Sequence, residues 1–370
     1  MTGPVGVHAG NGRSLRLTAL RCQAQLLSGT AATDPVDVAG RLLAVQAQDP
    51  RGFRLAVRSR TSGVTVDDLE RALSIDRSLV VTTLNRGTLH LVRAEDYWWL
   101  HALTTPRLST SSRRRLTETG LAPPQVEVGV KVVIGALSRE GPLTRHELRG
   151  RLDAAGVPTV GQALIHLLSV TALRGFTVRG PMRDGEQAWV LVADWLGSPP
   201  ALDRAAALEA LARRYLAGHG PATERDLARW AGLPLRDARA GLAAIAGELN
   251  DLGGGLVTVT GAPVEAELAP PRLLGAFEPL LLGWCDREPI IGEDHTLVTS
   301  NGIFRPFALV GGRAVASWGL SSGVLTLRPF GPLSPATKLA VHAEAAAVGT
   351  YLGIGTPKLV VTAVVGPAGR

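Results

Sequence analysis

The spacing of apolar residues changes character along the chain, and the changes divide it. Val38, Leu42 and Val45 fall at i, i+4 and i+7 and predict a helix over Pro35 to Ala47 with one buried stripe. A second helix near Phe53 to Arg60 and a third from Val66 to Ser74 precede two alternating runs, Leu79 to Leu84 and Thr88 to Val92, around the turn Asn85-Arg86-Gly87. The order then repeats. Helical stretches Val126 to Ser138 and Val160 to Leu173 precede Phe176 to Arg179 with Ala188 to Val192, and Arg204 to Ala217 with Leu235 to Leu249 precede Leu256 to Thr260. Between the helices, Gly141-Pro142-Leu143-Thr144-Arg145-His146-Glu147-Leu148 returns 79 residues later as Gly220-Pro221-Ala222-Thr223-Glu224-Arg225-Asp226-Leu227. The shared G-P-x-T-x-x-x-L is a turn, an N-cap threonine and the opening of a short helix whose leucine faces inward. Gly63-Val64-Thr65 with Leu69 is a looser copy. Helix, helix, helix, hairpin is the order of a winged helix-turn-helix, and three modules are expected.

From Pro263 onward helical periodicity gives way to short β runs at Leu280 to Leu282, Thr296 to Thr299, Phe304 to Val310, Ala314 to Trp318 and Val324 to Leu327. They read as a small barrel or curled sheet. A last helix, Pro335 to Tyr351, is expected against the third module, before a strand from Lys358 to Val365. The expected fold is α+β: a disordered tail over 1–13, winged-helix modules over 14–120, 121–197 and 198–262, and a C-terminal β-barrel with a helix over 263–370.

The 370 residues are 45% hydrophobic and 19% charged, the balance of a folded chain rather than a disordered one. Lys and Arg number 39 against 32 acids, and only Lys131, Lys338 and Lys358 are lysines, so arginine supplies the positive field. That field suits a polyanion such as nucleic acid, but an Ala- and Gly-rich composition favours arginine too, so charge alone leaves the partner open. Cys22 and Cys285 stand in no CxxC or Cys/His spacing, which excludes a disulfide scaffold or zinc site and predicts two reduced core residues. No run approaches the roughly 18 to 20 apolar residues of a membrane span, and Met1 to Arg13 lacks an apolar signal segment, so a cytoplasmic chain with no membrane partner is expected. Walker A, GxGxxG, HExxH and Gly-x-Ser-x-Gly motifs are missing from the sequence; no cofactor and no metal are implied.

A winged helix normally reads DNA with its third helix, yet Val160 to Leu173 offers only Gln162 and His166, and the third module's helix only Arg236 and Arg239. The modules therefore suit a scaffold curved around a duplex more than a sequence reader. The most informative stretch is Val45-Gln46-Ala47-Gln48-Asp49. On a continuing helix Gln46 and Gln48 would point about 200° apart, so they converge only where the helix unwinds. Pro50 biases Asp49 away from helical geometry and sets the expected end near Ala47, with both amides at a helix C-terminus whose free carbonyls favour a polarised water or a cation. Spacing alone favours a plainer reading in which Gln48 and Asp49 decorate a helix end.

Val45-Gln46-Ala47-Gln48-Asp49 resembles the Gln-apolar-Gln signature of the bacterial triple winged-helix DNA glycosylases of the AlkZ/YcaQ-like family. The segments Arg86-Gly87-Thr88-Leu89-His90-Leu91-Val92 and Ser300-Asn301-Gly302-Ile303-Phe304-Arg305-Pro306-Phe307 resemble it too, and the likeness runs from about Leu15 to Leu352. Glutamine at position 48, where a sister branch has aspartate, is similar to the branch that protects producers of azinomycin-type DNA-alkylating antibiotics. The resemblance implies a monofunctional glycosylase that removes bulky N7-alkylguanine adducts or unhooks interstrand crosslinks, acting as a monomer on duplex DNA carrying an alkylated purine. It implies Gln46 and Gln48 as catalytic, with Asp49, His90 and Asn301 as accessories. Arg86, Arg113, Arg114, Arg115, Arg236, Arg239 and Arg305 are the expected DNA contacts, and the hairpin that the family needs in its DNA cleft is expected within Asp294 to Arg305. The chemistry suits these residue types: an N7-alkylated purine is a cation and leaves without protonation, so a site needs only to place a water and steady the sugar. Asp49 is either a base or a helix-end hydrogen-bonder. A non-catalytic DNA-binding regulator and a drug-binding resistance protein remain alternatives.

Overall fold

A computed structural model describes residues 6–108, 118, 120–292 and 296–364. Helix α1 (Gly6–Ala24) begins inside the stretch expected as a tail. The first unit comprises α2 (Pro35–Leu42), β1 (Val45–Gln46), α3 (Pro50–Arg58), α4 (Val66–Ser74) and the hairpin β2 (Leu79–Leu84) and β3 (Thr88–Arg93), followed by α5 (Tyr97–Thr104). The second repeats the order with α6 (Pro123–Glu140), α7 (Arg145–Ala154), α8 (Ala163–Leu173), β4 (Thr177–Arg183) and β5 (Glu186–Leu191), then a short α9 (Val192–Leu196). The third has α10 (Arg204–His219), α11 (Glu224–Ala231), α12 (Leu235–Ala244), β6 (Leu249–Asp251) and β7 (Val257–Val259).

Both G-P-x-T copies build what their residues dictate. Thr144 accepts from the amide of Glu147 at 3.2 Å while its own amide donates to the Glu147 carboxylate at 2.7 Å, and Thr223 and Asp226 form the same reciprocal cap at 3.1 and 2.8 Å. The residue before each cap bridges to its unit's hairpin, Leu143 to Trp189 and Ala222 to Val257. Gly63-Val64-Thr65 instead caps α4, the third helix of its unit, so it is not the equivalent joint.

Two hairpins merge. Val81 of β2 pairs with Arg179 of β4, giving one sheet in the order β1-β3-β2-β4-β5, while β6 and β7 pair only with each other.

Downstream, β8 (Arg272–Leu274), α13 (Pro279–Leu282), α14 (Glu288–Ile291), β9 (Phe307–Val310), β10 (Arg313–Ser321), β11 (Val324–Pro329), α15 (Pro335–Tyr351) and β12 (Lys358–Val361) complete the chain. Leu280 to Leu282 is helical rather than β, with Pro279 in its first turn and Glu278 as its cap. Thr296 to Thr299 contributes only the isolated bridge Val298 to Phe304. The five strands form an open sheet in the order β12-β11-β10-β9-β8, not a closed barrel. Its apolar face is buried without closure: Val341, Ala345 and Val348 of α15 pack with Leu273, Ala308, Ala316, Trp318, Leu325 and Leu327. The last helix thus covers this sheet instead of the third unit.

Leu55 of α3 joins that same core, Arg58 reaches Glu344 at 3.1 and 3.2 Å, and the fully buried Arg60 meets the fully buried Glu278 at 2.5 Å. Helix α3 is consequently fixed between the first unit and the C-terminal sheet. Cys22 is buried, and burial pushes its thiol up to about 12, whereas Cys285 is exposed and not the core residue expected. Among the described residues no helix is long and apolar enough to cross a membrane, and no group of three or more His, Cys, Asp or Glu is placed to hold a metal ion.

Candidate active site

Helix α2 stops at Leu42, short of the expected Ala47. Leu43 adopts φ 64° and ψ −40°, and the Ala44 amide donates to the Leu42 carbonyl at 2.7 Å, closing a γ-turn of the strained hand. Leu43 is wholly buried, so tertiary packing holds a backbone that leucine does not favour. The chain leaves this turn extended. Val45 pairs with Leu91 and Gln46 with His90, and the Ala47 amide donates to the Leu89 carbonyl at 2.7 Å.

Extended geometry, not helix fraying, brings the amides together. Side chains two apart on a strand share a side, and Gln46 Nε2 donates to Gln48 Oε1 at 2.5 Å. Gln46 is buried and Gln48 exposed. The pair precedes the N-terminus of α3, so it lies beside the positive end of a helix and not the negative end expected. Asp49 is the N-cap of α3, its carboxylate accepting from the Gly52 amide. A side chain at Gly52 would collide with the Ala276 carbonyl oxygen, so glycine is what lets the first turn of α3 touch the C-terminal region.

Arg86 completes the arrangement from the β2–β3 turn. Its Nη2 donates to Gln46 Oε1 at 3.2 Å, and its Nη1 donates to the carbonyls of Trp230 at 2.5 Å and Arg229 at 3.4 Å. Those carbonyls lie in the last turn of α11, where intrahelical partners run out. Burial, then the charges of Arg229 and Arg287, lowers Arg86 to about 10, so it remains a cation at neutral pH. Expected as a DNA contact, it is held here by Gln46 and by the carbonyls of α11. His90 is buried with Nδ1 2.8 Å from the Thr88 carbonyl, which can only accept, so this nitrogen carries the proton. Burial, then Arg86, pushes His90 down to about 3; at neutral pH it is uncharged.

Gln48 opens onto a cleft of about 770 Å³ walled by three regions. Arg51 and Arg54 come from α3, Arg145, Arg179 and Met182 from the second unit, and Leu320, Ser322 and Gly323 from the β10–β11 turn. Arg51 Nη1 donates to the Leu320 carbonyl at 2.8 Å and ties that turn to α3. Arg54 is paired with Glu70 at 2.5 Å. Arg179 lies 3.8 Å over the Trp189 ring, and burial lowers it to about 10, still cationic. These four arginines were not singled out from the sequence. Arg51 and Arg54, three apart on the helix after the Gln pair, and Arg145, next to the N-cap Thr144, carried the available signal.

Other expected residues lie elsewhere. Asn301 and Arg305 are exposed in the 299–305 loop and do not line this cleft. Two hairpin turns reach it, β4–β5 through Gly185 and Glu186 and β10–β11 through Ser322 and Gly323; no described residue of the expected Asp294 to Arg305 lines it, and 294–295 lie outside the described residues. Arg239 is held by Glu224 at 2.7 and 2.9 Å, and Arg236 lies 3.6 Å from Asp237; neither lines the cleft. Arg113, Arg114 and Arg115 lie outside the described residues.

Comparison with known proteins finds relatives over nearly the whole chain. The family model for AlkZ-like DNA glycosylases matches residues 39–351. The chain is 30% identical over 362 residues to an interstrand DNA cross-link repair glycosylase of Streptomyces sahachiroi, covering 91% of this chain and 95% of that one. It is also similar to the solved structure of the Streptomyces sahachiroi DNA glycosylase AlkZ, with a TM-score of 0.76 and 26% identity over 95% of this chain and 99% of that chain.

Proposed function

The chain belongs to the AlkZ-like family of DNA glycosylases, and from that premise we propose that it excises bulky N7-alkylguanine adducts and unhooks interstrand crosslinks at the Gln48 cleft. It is a hydrolase of N-glycosyl bonds that acts on DNA. The observation that carries the finer reading is the exposed amide of Gln48, backed by the buried amide of Gln46, at the wall of an arginine-lined cleft. The three helix-and-hairpin units are read as winged-helix modules, of which the first two wall this cleft together with the C-terminal region, and the chain is read as acting as a monomer.

An N7-alkylated purine already bears the positive charge that a protonated leaving group would need. The C1′–N9 bond breaks with its electron pair returning to the purine, which leaves neutral, and positive charge passes to the sugar. A water oxygen then bonds C1′ and its proton goes to solvent. Gln48 Oε1 accepts one hydrogen bond from Gln46 and keeps a lone pair for that water, while its carbonyl dipole steadies the sugar charge. Undamaged neutral bases gain little from such a site, which gives selectivity for alkylation. Arg51, Arg145 and Arg179 suit phosphates, and the exposed Met182 and Ile354 suit base faces. Removal of self-made alkylation damage is the biological context this reading favours.

The test is alkylated duplex incubated with the protein and then treated with heat or alkali. Strand cleavage at the adduct supports excision. Protection of the adduct without base release contradicts it and favours a binding protein.

A further inference from the structure

Resting on the reading that Gln46 and Gln48 carry excision, we propose that Arg86 is a positioning residue that sets the direction of the amide pair, making position 48 the acceptor in a one-way chain from Arg86 through Gln46 to Gln48. A glutamine amide has nearly the same shape with its carbonyl and amino ends exchanged, so two glutamines alone can meet in either sense. A guanidinium only donates. With Arg86 Nη2 at 3.2 Å, Gln46 must turn its carbonyl toward Arg86; its amino group is left for Gln48, which must offer Oε1 at 2.5 Å.

Arg86 is itself held at the negative end of a helix. Among the described residues its hydrogen-bond partners are three carbonyl oxygens, those of Gln46, Trp230 and Arg229, the last two at the C-terminus of α11. The turn that carries it lies against Gly232, where a side chain would meet the Asn85 carbonyl oxygen at 2.8 Å. The third unit, which contributes none of the cleft residues that face Gln48, thereby reaches the amides through one side chain.

A direction makes the two positions unequal. Position 46 must accept from Arg86 and also donate to position 48, whereas position 48 need only accept. Gln46→Glu keeps the first contact and loses the second; Gln48→Glu keeps the chain intact. Both add one negative charge. In single-turnover excision of an N7-alkylguanine from duplex DNA, Gln46→Glu is expected to lower the maximal rate by about 10- to 100-fold, the equivalent of one charge-assisted hydrogen bond, and Gln48→Glu by at least about tenfold less.

A double-mutant cycle tests Arg86 itself. Arg86→Lys is expected to lower the maximal rate about tenfold in the native background and less than about twofold in Gln46→Ala, with the DNA concentration at half-saturation unchanged. A purely structural Arg86, holding the turn on α11, lowers the melting temperature and carries the same fold-loss into both backgrounds; that result overturns the proposal. Gln46→Glu retaining as much activity as Gln48→Glu overturns it as well, without relying on any change at Arg86. Full activity in both Gln46→Ala and Gln48→Ala removes the reading of the site, and the proposal with it.

Discussion

The joint between the first and second helices occurs in all three units and is built in two ways. In the second and third units it is Gly-Pro-x-Thr: Leu143 or Ala222 is buried, bridges to the hairpin, and a threonine closes a reciprocal cap. In the first unit it runs from Leu43 to Asp49 through a strained turn, pairs with β3, and puts the exposed Gln48 where the others have Leu143 and Ala222. Its cap is one-sided, because Gly52 has no side chain to answer Asp49. Two joints are therefore optimised for packing, while that of the first unit carries strain and an amide pair whose outer member is exposed at an otherwise equivalent place. Strain and half-satisfied polar groups concentrated in one of several repeats mark where chemistry has been grafted onto a scaffold.

Exchanging residues between the joints breaks the comparison most strongly. Gln48→Leu is expected to reduce the single-turnover excision rate by about 10²- to 10³-fold, the loss typical of one electrostatic stabiliser, with the melting temperature retained because position 48 is exposed. The reverse exchange, Leu143→Gln, is expected to leave excision intact but destabilise the fold by about 1 to 3 kcal/mol in chemical denaturation, through a buried amide without partners.

Acid sharpens the contrast between buried and exposed polar groups. His90 and His219 are fully buried and pushed down to about 3 from the ordinary 6.5, in both cases chiefly by burial. The unfolded chain binds their protons first, so stability is full above about pH 6.5 and declines as pH falls from there toward about 3. Melting curves should show this decline, and replacing His219 by Gln should flatten it. The smallest effect concerns the caps: Thr144→Ala, Thr223→Ala and Asp49→Ala should each lower stability by about 1 kcal/mol, measured by denaturant unfolding. Of the three, Asp49→Ala should lose the most activity, since its cap also seats Gln48.

Much of this architecture was legible in the apolar periods. Val66 to Ser74, Leu79 to Leu84 and Pro335 to Tyr351 fold as their patterns require, and the G-P-x-T copies are both capped joints. The end of α2 was not legible. Val38, Leu42 and Val45 continue a helical stripe, and nothing local marks Leu43 for positive φ; its turn exists because the surrounding core holds it. Gln46 and Gln48 were legible as a pair, but a two-residue strand is too short to announce an alternating period, so the reason for their convergence was misassigned. The run Leu280 to Leu282 is helical although β was expected, because three apolar residues carry no period at all. Arg86 was visible in its turn, yet its contacts join residues 40 and 144 positions away, a distance over which spacing carries no information.

The central claim, that non-titrating amides at the first joint carry excision, is tested most directly by the pH dependence of the wild-type single-turnover rate on an N7-alkylguanine duplex, expressed relative to uncatalysed loss of the same base at each pH. Arg86 is charged and His90 neutral throughout about pH 6 to 9, so the ratio is predicted to stay nearly constant across that range and to do so equally in Asp49→Asn. A bell-shaped profile whose acidic limb disappears in Asp49→Asn would contradict the account, making Asp49 the general base and the glutamines mere supports.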